Sequence, residues 1–352
     1  MKKLIIIAAI GAASAIPMTA MSDTTLYGEL DYSFNNVDED RARGADSING
    51  WRGEDNTSLF GLKGSYGDDV KAFFHLQTGA RSDNPSGGPT SGNAFDQRFF
   101  FGGLSGKFGK VAYGKMTNAY KFPGFKLDPF YNKSHVGAGG TFARGGATYG
   151  LSPATNAFTD NSLQYVTPTL GTWINLPGMF QGILGGLKLN GGVYVDDGNG
   201  DRAAFGGGFI YEGGSWDVGA QYAKNGDTVA VVLPGTAADG DAWRVHGSYK
   251  ADRWSVATSY ENIAIPVAGG RETVNYLYLT GQFKVTPKAR LVASPGYVGD
   301  GPAEGWGITA GVFYAIAPHT TILLSGSYVD RNDNNEVSVY TINATHKFNL
   351  EW

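Results

Sequence analysis

Polar and apolar residues alternate along most of this chain, and that period of two constrains its fold more than any other feature. In the first such segment one face carries Leu26, Gly28, Leu30, Tyr32 and Phe34, and the other carries Tyr27, Glu29, Asp31 and Ser33. A half-apolar β-strand has this pattern. Segments 216–222, 243–249 and 254–260 repeat it, with aromatic residues near both ends. The chain is therefore predicted to be all-β.

Hydropathy restricts the fold further. Beyond the N-terminus, no apolar run approaches the ~20 residues that a membrane-spanning helix requires, and the mean hydropathy is -0.21. A chain of this kind can cross a membrane only as strands. Every backbone N–H and C=O in hydrocarbon must be paired, so those strands must form a closed sheet.

The two ends of the chain indicate where that sheet lies. Lys2 and Lys3 precede a short apolar run, and residues 20–22 provide the small residues that a signal peptidase requires. We predict that 1–22 is a cleaved signal peptide and that 23–352 is one exported transmembrane barrel. The chain ends in an alternating strand that stops on Trp352. Together these ends favour a location in the bacterial outer membrane.

The predicted connections fall into two length classes. Short turns are expected at 66–69, 213–215, 251–253, 286–288 and 317–319. Long polar loops are expected at 38–56, 81–93, 116–160 and 225–240. Short turns at one rim and long loops at the other are typical of outer-membrane barrels. The count predicts a 16-stranded antiparallel transmembrane β-barrel, with 169–183 as an unusually long periplasmic connection.

Composition argues against other functional classes. The chain has no Cys and a net charge of -4, near -6 once Lys2 and Lys3 are removed, which is unlike a nucleic-acid-binding domain. The five histidines show no metal-ligand spacing, and no GxSxG motif occurs. We expect no cofactor, no metal and no enzyme activity. The acidic segment 196–201 has a composition compatible with Ca²⁺ and is interpreted as a solvated hairpin tip.

The loop 116–160 is the longest connection. A structureless loop of ~40 residues is uncommon unless it is functional. A 16-stranded wall encloses an aqueous channel, so a loop folded inward would narrow that channel. Charges on this third loop would then face charges on the opposite wall.

Short segments in a fixed order span the whole mature chain, at 25–28, 58–64, 70–74, 97–104, 113–115, 127–130 and 160–165. This series, with the terminal aromatic residue, resembles the Gram-negative trimeric general-diffusion porin family. The resemblance implies a homotrimer in contact with outer-membrane lipid and lipopolysaccharide. It also implies passage of small hydrophilic solutes and a third loop folded into the barrel at mid-height.

In that family, acidic loop residues face basic wall residues. Carried over by position, Arg98 and Lys115 match wall bases and Asp128 matches a loop acid. Alternation places Lys63 and Lys71 on the lumen side as well. The predicted constriction residues are Lys63, Lys71, Arg98, Lys115, Lys121, Lys126, Asp128, Lys133 and Arg144.

The chain departs from the family pattern in three places. Leu59 stands where a wall Arg is usual, Trp352 stands where Phe is usual, and the third loop is basic rather than acidic. The excess of basic residues leads to the hypothesis that the constriction is net positive and favours anions. The alternative is that several loop lysines point to bulk water.

The predicted function is passive diffusion of small hydrophilic solutes and ions. One alternative is a substrate-selective channel with an aromatic and basic binding track. It draws on the aromatic residues at the start of the third loop, which could equally pack that loop against the wall: Tyr113, Tyr120, Phe122, Phe125, Phe130 and Tyr131. Lesser alternatives are an outer-membrane barrel hydrolase with distant Ser and His residues and a secreted two-domain β protein.

Overall fold

The computed structural model describes residues 23–40, 49–56, 58–80, 82, 95–133, 148–152, 154, 158–173, 185–195, 203–226, 239–301, 304–332 and 335–351. The predicted signal peptide 1–22 and Arg144 lie outside these ranges. The described residues form seventeen β-strands in a single sheet, with two short helices. Among them, no helix is long and apolar enough to cross a membrane.

The strands are β1 (Asp23–Asp40), β2 (Gly50–Asp55), β3 (Leu59–Tyr66), β4 (Val70–Gly79), β5 (Gln97–Gly106), β6 (Gly109–Thr117), β7 (Phe158–Val166), β8 (Leu187–Tyr194), β9 (Ala204–Gly213), β10 (Trp216–Lys224), β11 (Asp241–Lys250), β12 (Trp254–Val267), β13 (Gly270–Lys284), β14 (Ala289–Gly299), β15 (Gly305–Ala317), β16 (Thr320–Arg331) and β17 (Asn335–Glu351). The helices are α1 (Lys121–Phe125) and α2 (Leu170–Trp173).

The sheet closes on itself. Neighbouring strands pair antiparallel in chain order, and β1 pairs with β17 from Thr25↔Glu351 to Asp40↔Glu336. Strands β2 and β3 both pair with β1, β2 along its second half and β3 along its first. They are two parts of one wall strand interrupted near Asn56, so seventeen segments build sixteen barrel strands. The predicted 16-stranded antiparallel barrel is confirmed.

The wall is apolar outside and polar inside, the reverse of a soluble domain. On β1, Leu30, Tyr32 and Phe34 are exposed on the outer face, whereas Asp31 and Asn35 are buried on the inner face. Other strands follow the same alternation, which suits lipid on one side and a polar interior on the other. The period of two in the sequence is therefore the alternation between these two environments.

Aromatic pairs mark two levels on the outer face. Toward the short-turn rim, the ring of Tyr249 lies 4.4 Å from that of Trp216 and 5.1 Å from that of Trp254. Toward the long-loop rim, the rings of Phe34 and Trp51 stack at 4.9 Å. Such belts are found where a barrel meets the two membrane interfaces.

The predicted short turns occur as expected, but the first long loop is shorter than predicted. We predicted a loop over 38–56, whereas β1 continues to Asp40 and β2 occupies Gly50–Asp55. Most residues of these strand ends are polar, so their composition resembles that of a loop although their backbone is paired. The connection between β7 and β8 contains α2, and much of the predicted 169–183 connection lies outside the described residues.

The inner wall is not polar throughout. Apolar residues on the inner faces of β12 to β17 form a buried cluster with residues of the third loop, here the connection 118–157. Its wall members include Ile263, Val298, Val329, Val337 and Val339, and its loop members are Tyr120, Tyr149 and Ala154. Full burial of one such aliphatic side chain contributes roughly 1.5–3 kcal/mol. This part of the interior is therefore a docking surface for the loop and not a water-filled space.

The loop backbone lies directly against the wall at Gly296 of β14. A Cβ added there would overlap the carbonyl oxygen of Tyr149 and lie 2.8 Å from Cα of Gly150. Gly150 itself has a φ of 94°, a conformation that favours glycine. Two glycines thus allow direct contact between the loop and the wall.

We expect Gly296→Val to displace the returning part of the third loop, because a side chain at this position and the loop backbone cannot occupy the same space. Overpacking of this kind costs about 1–3 kcal/mol. Single-channel conductance should rise and the melting temperature should fall. Gly281→Val is the matched control, since a Cβ at Gly281 meets nothing within 4 Å. Unchanged conductance in a folded Gly296→Val protein would contradict this docking arrangement.

Candidate functional site

The third loop enters the barrel directly after β6. The backbone N–H of Ala119 donates to the Tyr194 hydroxyl at 2.8 Å, and Asn190 Nδ2 donates to the Ala119 carbonyl at 3.1 Å. Asn118 Oδ1 accepts a hydrogen bond from the N–H of Lys121 at 2.7 Å and so starts α1. The loop is fixed to β8 within its first turn.

A buried ion pair holds the next part of the loop. Arg244 of β11 donates to Glu261 Oε1 of β12 at 2.9 Å, and both side chains are at most 1% exposed. The same oxygen accepts from the Tyr120 hydroxyl at 2.5 Å and from Ser152 Oγ at 2.8 Å. Removal of one partner of a buried ion pair typically costs 3–5 kcal/mol. Both ends of the loop therefore depend on one wall carboxylate.

Asp128 joins the outgoing and returning parts of the loop. Its carboxylate accepts hydrogen bonds from the Thr148 N–H at 2.6 Å, the Thr148 hydroxyl at 2.7 Å and the Phe130 N–H at 2.9 Å. The Tyr278 hydroxyl of β13 donates to it at 3.1 Å. Burial raises the pKa of the Asp128 carboxyl, while these hydrogen bonds oppose the rise. The geometry is that of a structural anchor.

The far end of the loop reaches the opposite side of the barrel. Phe130 is buried against Val292, Phe313 and Leu323 of β14, β15 and β16. Lys133 then donates to Glu29 of β1 at 2.8 Å and contacts the Asp31 carboxylate. The loop thus lies along the inner wall from β8 through β11–β16 to β1.

Basic and aromatic side chains line the wall that faces the loop. Lys63 of β3 and Lys110 of β6 are exposed on the inner face. Phe73, His75, Phe99, Phe101 and Phe158 lie between them and are half-exposed. The constriction is the space between the third loop and these inner faces of β3–β7.

A β-bulge brings Arg98 into the constriction. The register between β4 and β5 shifts between Gln77 and Thr78, so two residues of β5 oppose one residue of β4. Arg98 Nε donates to Gln77 Oε1 at 2.9 Å, and its guanidinium lies 4.7 Å from the Phe158 ring centroid. Bulges commonly redirect a side chain in this way.

Lys121 approaches Arg98 from the loop side. Its Nζ lies 4.2 Å from the ring centroid of Phe158 and 5.9 Å from that of Tyr131. Burial, assisted by the nearby positive charge of Arg98, lowers the pKa of Lys121 to about 7. This lysine changes its charge near neutral pH.

The predicted site residues occupy different environments. Arg98 and Lys121 meet at the ring of Phe158, whereas Lys63 is exposed on the inner face of β3 and Lys126 is exposed on the loop. Lys71 lies 3.8 Å from Asp23 near the short-turn rim, and Lys115 lies 3.0 Å from Asp160. Lys133 is ion-paired with β1, Asp128 is buried, and Arg144 lies outside the described residues. Their roles as constriction charges stay predictions.

Sequence reasoning missed Lys110, Arg244 and Glu261. Lys110 shares the inner face with Ala112 and Gly114, so alternation along β6 could have identified it. Nothing in the sequence links Arg244 and Glu261 to Tyr120, which is more than 120 positions away. In the described part of the chain, no group of three or more His, Asp or Glu residues is placed to hold a metal ion.

Solved structures with the same fold are found among outer-membrane proteins. The anion-selective porin from Comamonas acidovorans matches with a TM-score of 0.71 and 19% identity, covering 93% of this chain and all of that one. The trimer form of OmpT from Vibrio cholerae matches with a TM-score of 0.64 and 16% identity, covering 93% and 99%. At these identities the likeness concerns the fold alone.

Sequence comparison identifies the family to which this chain belongs. An outer membrane porin protein of Bordetella pertussis is 31% identical over 188 residues, which cover 48% of this chain and 45% of that protein. The match thus spans less than half the length of this curated relative. A family profile described as Gram-negative porin matches residues 7–349. The resemblance and the outer-membrane location predicted from the sequence are confirmed, and the chain belongs to the Gram-negative porin family.

Proposed function

We propose that this porin is a passive diffusion channel for small hydrophilic solutes and ions, with a preference for anions. One observation carries the proposal: the described part of the third loop packs against β8 and β11–β16, whereas Lys63 and Lys110 on the inner faces of β3 and β6 are exposed. Solutes that pass this loop meet Lys63, Lys110 and Lys126, all of which are exposed. No chemical step is involved, and we propose that the protein has no enzyme activity.

The sign of the net charge at the constriction depends on which charged side chains are already paired within the protein. Asp31 and Glu261 are buried and bind Lys133 and Arg244. The buried Asp128 carboxylate accepts hydrogen bonds from its own loop. Charges in a narrow channel with low-dielectric walls are less screened than surface charges. Lys63 and Lys110, which are exposed on the inner wall, therefore dominate the potential that a permeating ion experiences.

We also propose a homotrimer in contact with outer-membrane lipid and lipopolysaccharide. A solved structure of the same fold is a trimer form. The outer faces of β2 and β15–β17 form an apolar groove of about 410 Å³, lined by Trp51, Ala310, Leu324, Gly326, Tyr340 and Ile342. A continuous exposed apolar surface of this kind suits close packing against a second copy of the chain.

Reversal potentials in a salt gradient test the anion preference. We expect the wild-type channel to favour chloride over potassium. The triple variant Lys63→Glu, Arg98→Glu, Lys110→Glu should shift the permeability ratio toward potassium by about threefold per charge. Arg253→Glu is the control, because Arg253 lies in a short turn beside Phe283 on the outer face. A cation preference in the wild type would overturn the proposal.

The pKa of Lys121 predicts a pH dependence of selectivity. Protonation below about pH 7 adds a positive charge to the constriction. The chloride preference should therefore rise as pH falls from about 8.5 to about 5.5, a window that brackets this pKa. Lys121→Met should remove this step, and Lys121→Arg should keep the high preference at both pH values. The same step in Lys121→Met would assign it to another group.

Charged substitutions on the outer face test the trimer contact. Leu324→Arg places a charge in the groove, and Leu279→Arg places one on the outer face of β13, away from it. We expect only Leu324→Arg to convert trimers into monomers on electrophoresis without heating. Equal loss of trimer in both variants would place the subunit contact elsewhere.

A further inference from the structure

An unbroken series of aromatic rings runs along the inner wall of the constriction. From the ring of Phe73, neighbouring ring centroids are 6.4 Å apart to Phe101, 5.3 Å to His75, 4.7 Å to Phe99 and 5.3 Å to Phe158. All five rings are half-exposed. We call these five residues the aromatic strip.

Cationic side chains lie beside the aromatic strip at both of its ends and near its middle. At one end, Lys110 Nζ lies 4.3 Å from the Phe73 ring centroid. At the other, Arg98 and Lys121 lie 4.7 Å and 4.2 Å from that of Phe158. Midway, Lys63 pairs in register with His75 and lies 5.7 Å from the ring centroid of Tyr27.

Strand geometry makes this a path and not a single site. Ser105, the register partner of Lys110, is seven residues from Arg98 on β5, about 20 Å of strand. Lys63 is exposed between these ends, and its register partners Thr25 and His75 carry no carboxylate. An anion moving through the constriction can therefore pass from one cation to the next.

The combination of cations and aromatic rings favours one chemical class of solute. Inorganic anions need only the cations, and neutral sugars form no ion pair with them. Aromatic amines can stack on the rings but are repelled by the cations. A planar ring bearing one carboxylate uses both features, because its face packs against Phe and His while its carboxylate pairs with Lys or Arg.

We infer that the aromatic strip binds aromatic monocarboxylates, of the benzoate or hydroxybenzoate type, as they cross the channel. The inference rests on the proposed channel function and adds a substrate class to it. The carboxylate moves from Arg98 past Lys63 to Lys110, and the ring stays in contact with aromatic faces. Tyr131, whose ring centroid lies 5.4 Å from that of Phe125, provides an aromatic surface on the loop side.

Block of the chloride current through single channels tests this inference. Benzoate should reduce the current with saturation, cyclohexanecarboxylate should bind about tenfold more weakly because it lacks a π face, and acetate should not saturate. The double variant Phe99→Leu, Phe101→Leu should weaken benzoate block by about tenfold. Phe209→Leu, on the outer face, is the matched control and should match the wild type.

Failure of this inference can be distinguished from failure of the proposed channel function. Equal block by benzoate and cyclohexanecarboxylate, or full benzoate block in the double variant, would overturn the aromatic strip as a binding site while the channel function stands. Absence of ion conductance from the wild-type protein would instead refute the proposed function. Lys110→Gln should also weaken benzoate block, and an unchanged affinity there would remove Lys110 from the path.

Discussion

The whole structure depends on the hydrogen-bonded seam between β1 and β17. In hydrocarbon an unpaired backbone group costs several kcal/mol, so a sheet with a free edge is not stable there. The sixteen register pairs from Thr25↔Glu351 to Asp40↔Glu336 remove that edge. Closure also creates the interior, and every functional feature lies on the inner face that it encloses.

The third loop divides this interior into two parts with different chemistry. One part is a core, where valines of the wall pack against Tyr120, Tyr149 and Phe130. The other is an aqueous path lined by Lys63, Lys110 and aromatic rings. The loop is held by hydrophobic burial and by two buried carboxylates, Glu261 and Asp128. The selectivity proposed above therefore also depends on these buried residues, because they decide which part of the wall stays exposed.

Much of this architecture could be predicted from the sequence, since alternation reports directly which side of the wall a residue faces. The alternation of polar and apolar residues predicted the strands and placed Lys63 and Lys71 on the inner face. It fails at Arg98, where a bulge changes the direction of the side chain without any change in composition. It also fails for the inner valines of β16 and β17, which face a docked loop and not water.

The environment of Asp128 shows a second limit of prediction from sequence. A carboxylate on this loop can provide a field across the channel or anchor the loop, and the residue type is the same in both cases. The outcome depends on Thr148 and on Tyr278, which is 150 positions away. Contacts at that separation leave no periodic trace in a single sequence.

The attachment of Lys133 links the constriction to the seam. Its acceptor Asp31 also accepts hydrogen bonds from Asn343 and Thr345 of β17, at 2.5 Å and 3.4 Å. The binding place for the far end of the loop is thus complete only when the first and last strands have met. Closure of the barrel therefore also completes the hydrogen-bonding environment of the carboxylate that holds the far end of the loop.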